Sequence, residues 1–314
     1  MKILLPTSVP LAPALPDGAA SVRYDVAAPF PEEHLDAEAL VVWANPGDVL
    51  AREVARLHRL RWVQTLAAGP DHVLALDLPA DVVITSGRSL HDLPVAEHAL
   101  ALVLAAARRL DLAVRAQGEH RWADELGGSQ PWGNTARLTT LSGAHVVIWG
   151  FGSIGATLAP YLTMLGARVT GVARSAGERS GVTVVTRAEL PGVLPDADVL
   201  ILVLPATAHT RNALDASTLA LLPRRAWVVN VGRGATVDED ALLDALRAGR
   251  IAGAALDVVA TEPLPAGSPL WDAPNVILTP HAAGGRPVGA DALVVANVRA
   301  WLAGEPLRNL VERE

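Results

Sequence analysis

Short apolar runs, separated by polar turns and by segments with helical spacing, recur along almost the whole chain. Near the start, Ile3–Leu5, Leu40–Trp43 and Val82–Ile84 are each too short for a helix and lie among turn clusters and helical patterns. They predict a small α/β unit reaching to about residue 98. A longer helical pattern from Pro94 to about Ala116 leads into a loop broken by Gly127, Gly128, Pro131 and Gly133. Strand-like runs then return at Val146–Trp149, Arg168–Val172, Val199–Val203, Trp227–Asn230, Ala254–Leu256 and Val276–Leu278. Strands that alternate with helices imply an α/β fold with a doubly wound parallel sheet. A last helical pattern, from Val288 to Leu302, follows that sheet and is expected to pack back on the first unit.

At 314 residues the chain exceeds what one core usually organises, roughly 250–300 residues, so two domains are expected. Its 26 basic and 33 acidic residues give a net charge of −7, and no Lys/Arg run is long enough to grip a phosphate backbone. Nucleic acid is therefore not an expected partner. The absence of cysteine excludes disulfides, iron–sulfur clusters, thiolate zinc sites and cysteine nucleophiles, and no metal site is expected. Pro6, Pro10, Pro13 and Pro16 would break a secretory helix in the apolar amino-terminal stretch. The apolar segment Ala99–Ala107 is about half the roughly 20 residues a spanning helix needs. A cytoplasmic protein without membrane contact is expected.

The stretch HVVIWGFGSIGATLA places Gly150, Gly152 and Gly155 directly after an apolar strand and at the start of a helix. That context separates a dinucleotide-binding G-x-G-x-x-G from a glycine-rich turn with no ligand. Gly150 permits the tight turn, Gly152 lets backbone approach a pyrophosphate, and Gly155 lets helix and strand pack closely. The helix amino terminus adds N–H donors and a favourable dipole. The next strand ends at Arg174, where an NAD enzyme normally carries a carboxylate for the ribose hydroxyls. Arg174, with Ser175 beside it, suits the 2′-phosphate of NADP, so NADPH is the expected cofactor and NAD the alternative. Stacking on adenine, or simple solvation, is the other reading of Arg174.

Polar residues at three further strand ends carry candidate chemistry. In AWVVNVGRGATVDEDAL, Arg233 stands between Gly232 and Gly234, where it could clamp a carboxylate through two bonds or form only a surface ion pair. In GAALDVVATEPLP, Asp257 and Glu262 flank a strand end, and in VILTPHAAGG His281 follows another. Hydride delivery to a ketone leaves charge on oxygen, so a proton donor must stand beside it, and imidazole is the side chain suited to that at neutral pH. His281 is the expected acid. A buried Glu262 beside it would orient the ring and favour imidazolium. The bland alternative is a histidine serving only as a loop hydrogen-bonder.

The segments GFGSIG, NVGRGATVDEDALLDAL, AALDVVATEPLP, SPLWDAPNVILTPHAAG and PVAEHALALVL resemble, in content and order, the D-isomer-specific 2-hydroxyacid dehydrogenase family over almost the whole chain. The resemblance implies two Rossmann-like domains with doubly wound parallel sheets. Residues 1–98 plus 285–314 would form a split substrate domain and 99–284 a central nucleotide-binding domain, with a cleft between them and usually a homodimer. It implies catalytic roles for Arg233, Glu262 and His281, with Arg233 and His281 also contacting substrate. Ser153 and Ile154 match its backbone donors to pyrophosphate and Asp257 its nicotinamide carboxamide ligand. Leu204, Pro205 and Thr210 in LVLPATAHT, together with Val231, Gly232 and Gly284, fall at cofactor positions. In LAAGPDHV, the N–H groups of Ala68 and Gly69 would bind the substrate carboxylate opposite Arg233, a nest that needs little side-chain identity.

Arg174, Trp43 in VVWANP and LAAGPD resemble the family's glyoxylate/hydroxypyruvate reductase branch, which implies reduction of a small 2-keto acid to the D-2-hydroxy acid. Phosphoglycerate dehydrogenase is the alternative enzyme, although the chain shows no regulatory domain after its last helix. A nucleotide-sensing, corepressor-like binding protein is the alternative outside catalysis. Two positions depart from the family pattern. Pro160 falls within the helix after the glycine motif and is expected to kink or shorten it. Pro70 follows the carboxylate loop and is expected to stiffen it.

Overall fold

A computed structural model describes residues 1–131 and 133–313. The chain divides into two compact units, Met1–His91 with Arg286–Glu314, and Asp92–Gly285. The unit edges thus fall at 91/92 and 285/286, against 98/99 and 284/285 read from the sequence.

In the first unit the strands are β1 (Lys2–Pro6), β2 (Ala20–Tyr24), β3 (Ala39–Val42), β4 (Trp62–Thr65) and β5 (Val83–Thr85), with helices α1 (Gly47–Val54) and α2 (Asp71–Leu74) between them. They form a parallel sheet in the order β2-β1-β3-β4-β5. Successive side chains alternate faces: Leu4 packs with Leu40, Val42 and Val63, while Ile3 and Leu5 pack with Ala39, Val41 and Trp62 on the other side. That second face is covered by Ala290, Leu293, Val294 and Val298 of the carboxy-terminal helix (Ala290–Ala303), as its apolar pattern predicted. Burial on both faces is why the strands read as short continuous apolar runs. The helix is also tied by polar groups. Asn297 Nδ2 donates to Gln64 Oε1 at 2.8 Å, and Asn297 Oδ1 accepts from the Arg308 N–H at 2.8 Å. β2 and β4 were not anticipated. β2 is an exposed edge, and β4 carries Gln64 and Thr65, polar residues buried only because this network satisfies them.

The second unit opens with α3 (Asp92–Arg108) and α4 (Leu110–Gly118). The single helical pattern read from Pro94 to Ala116 is therefore two helices. Arg109 breaks it in the left-handed region (φ 52), and its guanidinium is held by Asn275 Oδ1 at 2.8 Å and by Asp111. The sheet strands follow as β6 (His145–Trp149), β7 (Arg168–Ala173), β8 (Gly177–Arg179), β9 (Val182–Thr186), β10 (Val199–Leu202), β11 (Trp227–Asn230), β12 (Gly253–Leu256) and β13 (Val276–Leu278). Between them run α5 (Ser153–Met164), α6 (Leu190–Val193), α7 (Ala216–Leu219) and α8 (Glu239–Arg247).

Their order is β13-β12-β11-β10-β6-β7-β9-β8. All pairings are parallel except β8 with β9, so the expected doubly wound sheet carries one antiparallel edge strand. β6 lies between β7 and β10, and the winding reverses there. Such a switch point leaves a crevice outside the carboxyl ends of the strands. Pro160 does not end α5, which continues to Met164. No helix among the described residues is long and apolar enough to cross a membrane.

At the amino end of β6, His145 is buried, with Nε2 2.9 Å from Thr170 Oγ1. Burial first, and the charge of Arg168 second, hold its pKa below the ordinary value of 6.5. The unfolded chain therefore takes up a proton that the folded one refuses, so stability present above about pH 6.5 is lost as pH falls. Thermal denaturation from pH 8 to pH 5 is expected to show a falling midpoint below that value. His145→Asn should flatten the slope between pH 6.5 and 5.

Candidate active site

The glycine turn after β6 is built by close backbone packing. Gly150 has φ +98, and a Cβ there would lie 2.6 Å from the Val203 carbonyl oxygen at the end of β10. Its N–H and that of Phe151 both donate to the Val172 carbonyl at 2.9 Å, tying the turn to β7. Gly152 precedes α5 and has nothing within 4 Å of where its Cβ would point. Gly155 is buried, its Cβ position 3.1 Å from the Phe151 ring and 3.3 Å from Ile148. Each glycine thus fits the task its motif position assigns, and the open side at Gly152, beside the N–H groups of Ser153 and Ile154, fits a pyrophosphate. Ser153 Oγ donates to Asp92 Oδ1 at 2.8 Å, a partner the sequence reading missed. Arg174 and Ser175 follow β7, next to β6, and both are exposed.

The neighbouring strand ends continue the same surface. Leu204 and Val231 are buried, and a Cβ on Gly232 would lie 2.7 Å from the Leu204 nitrogen. The loop after β10 is closed on itself, with Thr210 Oγ1 donating to the Pro205 carbonyl at 2.5 Å and accepting from the Thr207 N–H at 2.9 Å. Asn230, wholly buried at the end of β11, accepts from the Gly232 N–H at 3.0 Å and donates to the Arg233 carbonyl at 3.1 Å. Thr236 Oγ1 donates to that carbonyl at 2.6 Å. These bonds fix the backbone of Arg233, whose half-buried guanidinium donates to the Gly232 carbonyl at 2.9 Å. Gly234 then packs so tightly that a Cβ would fall 1.9 Å from the Val259 carbonyl carbon. The Arg233 turn is thereby pressed against the loop that carries Glu262.

His281 Nδ1 and Glu262 Oε2 are 2.6 Å apart, and Glu262 Oε1 accepts from the Val259 N–H at 3.1 Å. The two residues meet as expected, but the glutamate is not buried: its side chain is 35% exposed, because the loop after β12 opens to solvent at the sheet end. His281 stands at φ 52, an uncommon conformation for a residue with a Cβ. Its N–H donates to the Asp257 carbonyl at 2.8 Å. The Asp257 carboxylate takes the next two N–H groups, Ala282 on Oδ1 at 2.8 Å and Ala283 on Oδ2 at 3.0 Å, ahead of the turn at Gly284.

Thr279 Oγ1 donates to Asp257 Oδ1 at 2.6 Å, and His98 Nε2, from α3, lies 3.2 Å from the same oxygen and 3.0 Å from Thr279 Oγ1. Asp257 is thus 2% exposed and holds the histidine loop. Asn230 and His98 were not singled out from sequence. Asn230 closes an apolar strand, a place where a polar residue must find backbone partners. His98 lies on a helix distant in the chain, and nothing local pairs it with Asp257.

In the first unit, Ala68 and Gly69 follow β4 in a half-buried turn anchored by the Ala67 N–H on Thr65 Oγ1 at 3.1 Å and the Gly87 N–H on the Ala67 carbonyl at 2.7 Å. Pro70 immediately precedes α2. Among the described residues, no group of His, Cys, Asp and Glu could hold a metal ion.

Comparison with known proteins identifies the family. A glyoxylate/hydroxypyruvate reductase A of Yersinia enterocolitica is 34% identical over 288 residues, covering 88% of this chain and 86% of that protein. A D-isomer specific 2-hydroxyacid dehydrogenase from Xanthobacter autotrophicus, solved with NADPH and MES, superposes with a TM-score of 0.79 at 32% identity, over 99% of this chain and 97% of that one. An NADPH-dependent glyoxylate/hydroxypyruvate reductase from Sinorhizobium meliloti, solved with NADP and sulfate, also gives 0.79, at 29% identity over 99% and 98%. Residues 100–283 match the family described as D-isomer specific 2-hydroxyacid dehydrogenase, NAD binding domain. With a strand-end arginine and a glutamate-held histidine on a sheet of this order, the chain belongs to the D-isomer specific 2-hydroxyacid dehydrogenase family.

Proposed function

We propose that this protein is an NADPH-dependent reductase that converts a small 2-keto acid of the glyoxylate or hydroxypyruvate kind to its D-2-hydroxy acid. The observation that carries the reading is the 2.6 Å contact between His281 Nδ1 and Glu262. With Nδ1 engaged, Nε2 is the ring atom left to hand a proton to the carbonyl oxygen. When bound, a reduced nicotinamide would supply the hydride for the carbonyl carbon. The proton from His281 completes the alcohol, and Glu262 holds the ring in place through Nδ1.

Arg233, its backbone fixed by Asn230 and Thr236, offers its guanidinium to the substrate carboxylate. The N–H groups of Ala68 and Gly69 have no acceptor among the described residues and are available to a carboxylate as well. Gly150, Gly152, Ser153, Ile154, Gly155, Leu204, Pro205, Thr210, Val231, Gly232 and Gly284 would hold the dinucleotide. Arg174 and Ser175 would take its 2′-phosphate, and Asp257, beyond holding the loop, would meet the carboxamide through the remaining capacity of Oδ2. The first unit would serve as substrate domain and the second as nucleotide domain. Homodimer formation is supported by apolar side chains left exposed on and just after α4, with Val114 66% and Trp122 86% accessible.

The direct test is the loss of nicotinamide absorbance with NADPH or NADH against glyoxylate, hydroxypyruvate, pyruvate, phenylpyruvate and bulkier 2-keto acids. Fast NADPH oxidation with glyoxylate or hydroxypyruvate is expected, and nucleotide binding without turnover on any of them would point to a sensor instead. His281→Ala should lower kcat by about 10²–10⁴ while nucleotide affinity, read by fluorescence titration, stays near that of the parent. Arg233→Ala should raise KM for the keto acid and lower kcat together. Light scattering should return the mass of a dimer.

A further inference from the structure

Among the described residues, β8 is the only antiparallel strand of its sheet, and the sequence pattern did not announce it. Its hairpin with β9 turns on Ser180 and Gly181, both left-handed with φ 52 and 72, as tight two-residue hairpins require. The resulting register sets Arg179 opposite Val182 and returns the chain to the bend that follows β7. There the Arg179 guanidinium makes three bonds. Nη2 donates to the Ser175 carbonyl at 2.8 Å and to Ser175 Oγ at 2.5 Å, and Nη1 donates to the Phe151 carbonyl at 3.5 Å. Phe151 lies inside the glycine turn, so one side chain ties that turn to the bend carrying Arg174 and Ser175.

The bond to Oγ has a chemical consequence. A serine hydroxyl carries one proton and two lone pairs. With the guanidinium donating to a lone pair, the proton is directed away from Arg179, and Ser175 becomes a donor towards whatever lies beyond it. Arg174, one residue earlier, is exposed, and among the described residues its side chain has no hydrogen bond or ion pair. Glu178 points to the opposite face of the strand from Arg179, which keeps its carboxylate off this side. A guanidinium, an oriented hydroxyl and a second, buttressing guanidinium suit a phosphomonoester, which is close to dianionic at neutral pH.

We propose that Arg179 is the positioning residue of a 2′-phosphate subsite, acting through Ser175 and the glycine turn, and that discrimination of NADPH from NADH depends on it. The inference rests on the NADPH reading above and assigns that selectivity to a residue outside the glycine motif and the end of β7.

The test compares Arg179→Ala, Arg179→Lys, Ser175→Ala and the Arg179→Ala/Ser175→Ala double variant, each with NADPH and with NADH at saturating keto acid. Binding of 2′,5′-ADP and of 5′-AMP, which lacks the 2′-phosphate, to each variant free of cofactor is read in parallel by isothermal titration calorimetry. Arg179→Ala should reduce the NADPH-to-NADH ratio of kcat/KM by about tenfold, chiefly through KM for NADPH, because charge-assisted bonds to phosphate are the ones weakened. Affinity for 2′,5′-ADP should fall in proportion while that for 5′-AMP stays near the parent's, and Arg179→Lys should restore some of the ratio. The double variant should lose little more than either single one, since the arginine works through the serine.

Equal losses for both nucleotides, or additive effects in the double variant, would overturn the proposal. A parent enzyme with no preference for NADPH would instead remove the cofactor reading beneath it, a result visible before any variant is made. Should Arg179→Ala fail to fold, Arg179→Lys and Ser175→Ala decide the matter by the same ratio.

Discussion

Everything at this site depends on how closely the ends of parallel strands can be brought together. Three backbone contacts set that distance: Gly150 on Val203, Gly232 on Leu204 and Gly234 on Val259. At each, a Cβ would sit at 2.7 Å or less from a backbone atom, so the strand ends would have to separate to accept any other residue. The sheet order adds the second half of the constraint. With β6 and β10 adjacent at the point where the winding reverses, the turns after both strands border one crevice. The candidate reacting groups extend from that line, Arg233 after β11, Glu262 after β12 and His281 after β13.

A buried carboxylate organises the far end of the line. Asp257 would be costly to bury alone, and its surroundings answer with two N–H groups, the Thr279 hydroxyl and the His98 ring. Because the N–H groups are those of Ala282 and Ala283, satisfying the carboxylate also holds His281 in its left-handed backbone conformation. The energy that makes Asp257 tolerable and the geometry that aims the imidazole at Glu262 therefore come from the same bonds. On the neighbouring strand, the Asn230 amide does the same for the turn that carries Arg233.

Much of this was legible in the order of residues, for identifiable reasons. The strand runs of the second unit were readable because a sheet covered on both faces needs apolar side chains at every position. The glycine turn was readable because its three positions meet distinct steric demands. Arg233, Glu262 and His281 stood out as polar residues just past apolar strand ends. What escaped was whatever depends on partners far away in the chain: β4 with its buried Gln64, the break at Arg109 and the antiparallel β8. Their distant partners are Asn297 for Gln64, Asn275 for Arg109 and, for β8, the Phe151 carbonyl that accepts from Arg179.

The division follows from the range of the forces involved. By itself the sequence determined the α/β class, the winding of the parallel sheet in the second unit, the place of the glycine turn and the candidate reacting side chains. These rest on periodicity, glycine sterics and residue chemistry, all local properties of the chain. Only the tertiary structure decided that Glu262 stays partly exposed while Asp257 is buried, that His98 joins Asp257, and that Arg179 reaches the Phe151 carbonyl in the glycine turn. Those outcomes depend on which distant groups can satisfy a hydrogen bond once the sheet has formed, and that pairing is set by three-dimensional packing rather than by spacing along the chain.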